Sequence, residues 1–87
     1  MQLILDGAKL KYRCRVHRVL AKKLGFPAWY GRNLDALYDC LTDLHEDTEL
    51  VLRSWTSPNL QLMRRVMEDA AAENPHLTVT AEDTPEA

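Results

Sequence analysis

The sequence predicts an α/β domain built on a small parallel sheet. Three short runs rich in apolar and branched residues, at 2–6, 49–53 and 76–80, have the composition of β-strands. Segments with the apolar spacing of helices separate them. Helical crossovers favour parallel pairing, because parallel strands need long connections. We therefore expect one domain over 1–80, with a three-stranded parallel sheet flanked by helices.

The first two elements are a strand and a basic helix. The segment QLILD at 2–6 ends with Asp6-Gly7, a pair typical of turns. A helix is predicted over 13–24, because apolar residues recur there on one arc of its surface. Gly25 is suited to end this helix.

Two further helices lie on either side of the second strand. One is predicted over 34–44, with Asn33 as its N-cap and leucines at helical spacing. The other follows Ser57-Pro58, an N-cap and a proline at the first helical position, and stops at Asn74.

The chain lacks sequence signals for a membrane or for secretion. No apolar run is long enough to span a bilayer, and the N-terminal MQLILDG does not have the pattern of a signal peptide. We therefore expect a cytoplasmic protein whose two cysteines, Cys14 and Cys40, are reduced and packed. We also expect the segment 81–87 to be a disordered acidic tail.

The cysteines and histidines do not form a pattern typical of a metal site or of an enzyme. Cys14 and His17 are three residues apart, and Cys40 is close to His45, but a zinc site needs four well-placed ligands. A Cys-His hydrolase would also need a group that orients the base and an oxyanion hole. We expect no catalytic activity, no metal and no cofactor.

Charge is divided sharply along the chain, although the net charge is only −2. Residues 1–32 have a net charge of +7, from eight basic and one acidic side chain, and residues 33–87 have −9, from three basic and twelve acidic ones. Ion pairs between the two halves of the fold would explain part of this division. A surface of one sign that attracts a charged partner is the other explanation.

Three carboxylates form a row on the helix predicted over 34–44. Asp35, Asp39 and Asp43 recur every four residues, about 180° from the leucines, so all three should face solvent. Each such pair of like charges costs an isolated helix about 0.2–0.5 kcal/mol. The row either keeps the helix soluble or forms an array of acceptors for the arginines and lysines of a partner.

The basic segment at 9–23 suggests a different class of partner. It carries seven Lys or Arg residues with Tyr12 among them, a composition compatible with phosphate binding. The negative net charge and the acidic helix nearby argue against a nucleic-acid module. We expect a solvated charged face here.

The run PAWYGRNLDALYDCLTDL at 27–44 resembles the signature of the barstar family, intracellular inhibitors of secreted bacterial ribonucleases. Weaker similarity extends over nearly the whole chain, as in LDG after the first strand and LAKKLGFP near 20–27. The resemblance implies a barstar-like fold and an inhibitor that neutralises a basic nuclease toxin made by the same cell. We expect the free protein to be a monomer that binds neither nucleic acid nor a membrane.

The resemblance also assigns roles to individual residues. Asp39 takes the position of the carboxylate that enters the nuclease active site and meets its catalytic Arg, Lys and His. Asp35 matches the acid that engages an arginine of the guanine-recognising loop, and Trp29 matches an aromatic at the active-site mouth. The predicted inhibitory residues are Trp29, Asn33, Asp35, Tyr38, Asp39, Asp43 and Asp69, the last aligned with a peripheral glutamate.

Three neighbouring positions complete the motif. The resemblance implies that Tyr30 is a packed aromatic and that Gly31 frees the chain to turn into the helix. Arg32 departs from the family pattern and puts a positive charge at the edge of a surface expected to meet a basic enzyme.

The alternative function is a non-catalytic interaction module that binds another basic protein through the same acidic face.

Overall fold

A computed structural model describes residues 1–82 and shows a two-layer α/β domain. The three strands are parallel in the order β1-β2-β3, so that β2 is central. This confirms the predicted fold class. The elements in chain order are β1 (Gln2–Asp6), α1 (Gly7–Leu10), α2 (Arg13–Leu24), α3 (Leu34–Thr42), β2 (Thr48–Arg53), α4 (Pro58–Glu73) and β3 (Leu77–Glu82).

Side chains of the sheet alternate between a packed face and an open face. Leu50 and Leu52 of the central strand are buried in the core with the helices. On the opposite face, Glu49 accepts hydrogen bonds from Gln2 Nε2 at 3.1 Å and from Thr80 Oγ1 at 2.9 Å. These bonds lower the pKa of Glu49 and connect all three strands.

The three longer helices bury the apolar stripes that their spacing predicts. The buried side chains of these stripes are Val16 and Leu20 of α2, Leu37 and Leu41 of α3, and Leu60, Met63, Met67 and Ala70 of α4.

Among residues 1–82, no helix is both long enough and apolar enough to cross a membrane.

Most of the predicted helix ends are confirmed. Gly25 follows α2 with φ of 67°, and its N–H bonds to the carbonyl of Ala21, as a left-handed C-cap should. Pro58 begins α4, and Asn74 follows its last residue. Ser57 occupies the predicted N-cap position, but its side chain makes no capping hydrogen bond.

Several boundaries differ from the sequence prediction. Asp6-Gly7, expected to form a turn, begins the short helix α1, because Asp6 Oδ1 accepts a hydrogen bond from the N–H of Ala8. Ala81 and Glu82, expected in the tail, belong to β3, because their backbones extend the pairing with β2. The rest of the predicted tail, 83–87, lies outside the described residues.

Helix α3 ends at Thr42, two residues before its predicted end. The buried side chain of Asn74 donates from Nδ2 to the carbonyl of Leu41 at 2.9 Å and to that of Leu44 at 3.0 Å. These are carbonyls at the C-terminal end of α3, where helices leave such groups without intrahelical partners. The end of α3 is therefore fixed by a residue that follows α4.

We expect Asn74→Ala to lower the free energy of unfolding by about 1–3 kcal/mol, because it removes the side-chain donor to two backbone carbonyls and the acceptor of the His76 N–H. Chemical denaturation with urea measures the change. Asn59→Ala is the matched control, since Asn59 is exposed on α4, and surface changes usually stay within about 0.5 kcal/mol. Equal stability of the two variants would show that Asn74 does not fix α3.

Candidate protein-binding site

The N-terminal end of α3 is fixed by its predicted cap. Asn33 Oδ1 accepts a hydrogen bond from the N–H of Ala36 at 2.8 Å, which confirms Asn33 as the N-cap. Asp35 lies in the first turn, where the partial positive charge of the helix end favours a carboxylate. The cap therefore sets where the acidic row begins.

The acidic row has the predicted geometry. Asp35, Asp39 and Asp43 are all exposed, whereas Leu37 and Leu41 on the opposite side of α3 are fully buried. Asp43 is the C-cap of α3 rather than a residue of the helix. The row therefore extends from the first turn of α3 to the residue just past its end.

The structure brings three of the predicted residues together around one groove of about 620 Å³. Trp29, Asp39 and Asp43 line this groove, with Glu46 and Lys23 also on its walls. Trp29 is 76% exposed, an unusual position for a large aromatic side chain. We call this surface the anionic groove, because three carboxylates and one lysine line it.

The other predicted residues lie outside the anionic groove. Asp35 and Asn33 line a neighbouring groove together with Arg13. Tyr38 is half-buried and packs against the core. Asp69 is exposed on α4 and lines neither groove.

Cys40 does not have the surroundings of a reactive thiol. Burial raises the pKa of Cys40, and the charges of Asp39 and Asp43 raise it further, so the thiol stays protonated near neutral pH. Cys14 is also free but exposed, so the expectation of a packed cysteine is correct only for Cys40. Within residues 1–82, no three His, Cys, Asp or Glu side chains are grouped so that they could hold a metal ion.

The loop before α3, residues 25–33, is held by a buried hydrogen bond between His17 of α2 and Tyr30 of the loop. The Tyr30 hydroxyl and His17 Nδ1 are 2.5 Å apart, and the Tyr30 ring packs against Phe26 with centroids 4.9 Å apart. Because Tyr30 is adjacent to Trp29, this contact positions the exposed aromatic of the anionic groove. The sequence predicted Tyr30 as packed but did not reveal its partner.

Both members of this pair are uncharged near neutral pH. Burial lowers the pKa of His17, and the positive charges of Arg13 and Arg32 lower it further. Burial also raises the pKa of Tyr30, so its hydroxyl keeps a proton that it can donate to the neutral imidazole. The only sequence sign of this role is that His17 lies beside Val16 on the apolar arc of α2.

The expected role of Gly31 requires correction. The left-handed residue at the entrance to α3 is Arg32, with φ of 55°, and Gly31 is not in that conformation. A Cβ atom at Gly31 would lie 2.9 Å from Nδ2 of Asn33. Gly31 therefore leaves room for the capping side chain, and the turn itself is made by Arg32.

Taken together, these features define an α/β domain in which carboxylates on the exposed side of α3 lie beside an exposed aromatic. A family model described as Barstar (barnase inhibitor) matches residues 1–83. The chain therefore belongs to the barstar family. Since members of that family are inhibitors, the match confirms the prediction that this chain is not an enzyme.

A curated protein from Bacillus subtilis (strain 168), named "Putative ribonuclease inhibitor YrdF", is also similar to this chain. The two are 51% identical over 41 residues. The aligned segment covers 47% of this chain and 45% of the relative, so the match spans less than half of that protein's length.

We expect the free energy of unfolding to decrease as the pH falls below about 6.5, the ordinary pKa of histidine. The folded protein holds the pKa of His17 below that value, so the unfolded chain binds more protons in this range and is favoured as the pH falls. Urea unfolding between about pH 7 and pH 5 measures this slope.

The matched variants are His17→Gln, which cannot take up the proton, and His45→Gln, which removes an exposed histidine. His17→Gln should flatten the slope, whereas His45→Gln should keep it. A wild-type slope in His17→Gln would show that another group causes the acid sensitivity.

Proposed function

We propose that this protein inhibits a basic ribonuclease by placing the acidic row of α3 in the enzyme's active site. Two findings support the inhibitor role: the family model is described as a barnase inhibitor, and the Bacillus relative is named as a ribonuclease inhibitor. The observation that carries the proposed mode of inhibition is the shared location of Trp29, Asp39 and Asp43 around one groove.

The chemistry of the row suits this role. A ribonuclease active site holds cationic groups for the phosphates of RNA, and carboxylates accept charge-assisted hydrogen bonds from the same groups. In the free protein the three acids repel one another. Cations of the enzyme would relieve that repulsion, and the bound helix would keep RNA out.

The position of each residue suggests its share of the binding free energy. Asp39, in the middle of the row and on the wall of the anionic groove, is the proposed centre. Asp35 lies one turn earlier, and Trp29 adds a large aromatic surface. Tyr38, Asn33, Asp43 and Asp69 are the remaining proposed contacts, at the margin of the interface.

The proposal includes a biological setting. The inhibitor acts as an antitoxin in the cytoplasm of a bacterial cell and neutralises a nuclease that the cell secretes. It is a monomer before it binds, and the domain that ends with strand β3 is the binding domain.

Capture of the partner tests the proposal directly. The immobilised protein is incubated with lysate and culture medium of its own organism, and the bound fraction is assayed for ribonuclease activity before and after adding free protein. A captured ribonuclease that the free protein inhibits supports the proposal. A captured basic protein without nuclease activity would instead support the alternative, an interaction module with a different partner.

We expect Asp39→Ala to weaken binding to the captured ribonuclease by at least about 2 kcal/mol, because truncation of a central charge leaves the partner's cations unpaired. Isothermal titration calorimetry measures this loss. Urea unfolding should show unchanged or slightly higher stability, since the substitution removes a like-charge neighbour of Asp35 and Asp43.

Asp69→Ala is the variant for comparison, because Asp69 is an exposed carboxylate on α4 that is proposed to lie only at the margin of the interface. Exposed charge pairs contribute only about 0–1 kcal/mol. If Asp69→Ala weakens binding more than Asp39→Ala does, the acidic row is not the inhibitory surface.

We expect the association rate to decrease steeply as salt is added, because attraction between opposite charges is screened beyond about 8 Å at physiological ionic strength. Stopped-flow tryptophan fluorescence at a series of salt concentrations measures the rate. Asp43→Asn should make the dependence shallower, since one attracting charge is lost. An association rate that is indifferent to salt would exclude electrostatic steering.

A further inference from the structure

A second groove, of opposite charge, lies beside the loop that carries Trp29. Arg18 and Lys22 of α2 line it, together with Arg32 from the entrance to α3, around a volume of about 320 Å³. Its remaining walls are apolar or aromatic, and no acidic residue lines it. We call it the cationic groove.

The two grooves lie on either side of one short segment. Phe26 and Pro27 line both the anionic groove and the cationic groove. Trp29 lines the first, and Ala28 and Tyr30 line the second. A partner that covers the exposed Trp29 would therefore lie next to the anionic groove and the cationic groove at the same time.

Among residues 1–82, the cations of this groove form no salt bridge. Among residues 1–82 the salt bridges are Arg53–Glu82, Arg64–Glu68 and His76–Asp47. Within that part of the chain, ion pairs between the basic and acidic halves therefore do not account for the charges of α2 or for Arg32. Like charges held around one concave surface repel, and an anionic group placed between them would remove that repulsion.

The backbone of Arg32 is held in an unfavourable conformation. Its φ of 55° is uncommon for a residue with a side chain. The neighbouring contacts fix it there, since Tyr30 is bonded to His17 and Asn33 caps α3. Such strain persists where the surrounding structure imposes it, often at binding sites. The root of the Arg32 side chain is therefore fixed beside the groove.

We infer that the cationic groove binds a carboxylate-bearing segment of the protein partner while the anionic groove receives the partner's cations. The inference rests on the proposed function for the partner's identity, and it adds the charge pattern that this partner must carry. A polyanion such as RNA fits less well, because the acidic row near the same loop would repel its phosphates. A folded protein can present charges of both signs a few residues apart.

This arrangement makes the site selective. A nuclease whose surface is uniformly basic would place cations against Arg18, Lys22 and Arg32, and like charges brought together at an interface cost several kcal/mol. A nuclease with an acidic patch beside its active site would gain from the same contact. The cationic groove would therefore distinguish among basic enzymes that the acidic row alone attracts equally.

The first test uses the free protein and a hexaglutamate peptide as the probe. In NMR titrations of labelled protein at low ionic strength, we expect saturable shifts of the amides of Arg18, Lys22, Phe26 and residues 28–32. Lys22→Glu and Arg32→Glu should each abolish them. Arg15→Glu is the matched control, because Arg15 is exposed on α2 but does not line the groove, and it should keep the shifts.

Two outcomes of this titration would overturn the inference. One is a response of similar size around Arg15, or one that survives Arg32→Glu, since the cations would then act only as a solvated face. The other is saturation at lower concentration by inorganic phosphate or by a uridine hexanucleotide, because the groove would then select phosphate over carboxylate.

The second test measures the affinity of three variants for the captured ribonuclease. Its result depends on whether each substitution raises or lowers that affinity. Arg15→Glu should leave affinity unchanged or raise it, because added negative charge attracts a basic enzyme. Lys22→Glu and Arg32→Glu add the same charge but should lower affinity by about tenfold or more, because they oppose the partner's carboxylate. Higher affinity in all three variants would overturn the inference.

The two proposals can fail separately. If Asp39→Ala leaves binding unchanged, the proposed inhibitory surface is wrong, whatever the groove variants do. If Asp39→Ala weakens binding while Lys22→Glu and Arg32→Glu strengthen it, the inhibitory surface stands and the paired recognition is wrong.

Discussion

Helix α3 has nine residues, and helices of that length are not stable in water without tertiary support. The site therefore depends on the groups that hold its two ends. Asn33 caps the first turn of α3. Asn74, which follows the last residue of α4, donates hydrogen bonds to the carbonyls of Leu41 and Leu44 at the C-terminal end of α3. Buried leucines fix the helix in between, so the carboxylates on its outer side take a defined spacing. Two asparagines with little part in the chemistry thus determine where the charges lie.

Local sequence patterns were sufficient for most of the fold. The three strands, the three longer helices and the leucine stripe of α3 follow from local composition and spacing, because a residue's face depends on its near neighbours. The short helix α1 was not predicted. What spacing could not reveal are contacts between distant residues. The ending of α3 at Thr42 depends on Asn74, and the position of Trp29 depends on the pairing of His17 with Tyr30. The left-handed Arg32 was also missed, since the neighbouring Gly31 is the residue that favours such a turn.

The charges of this protein differ in kind from its core contacts. Burial of leucines and methionines stabilises the free protein, whereas the acidic row and the cations of α2 raise its free energy through repulsion. Only a partner with complementary charges recovers that free energy. The fold therefore has a core that determines its shape and a surface whose best electrostatic state is reached in a complex. The pair of grooves on either side of residues 26 and 27 makes that surface two-signed rather than simply acidic.

The central position of β2 has a consequence for synthesis. Strand β1 leaves the ribosome with no strand to pair with, since Gln2 pairs with Glu49, which lies 47 residues later in the chain. Closing so long a loop costs conformational entropy before the contacts between the strands can stabilise it. Folds with parallel sheets therefore form slowly. Helix α3 is synthesised before β2, but its C-terminal end is not fixed until Asn74 has been synthesised and can bind its carbonyls. A nascent chain therefore carries the whole acidic row well before it can hold that row in place, and it cannot compete for a partner until Asn74 has been added.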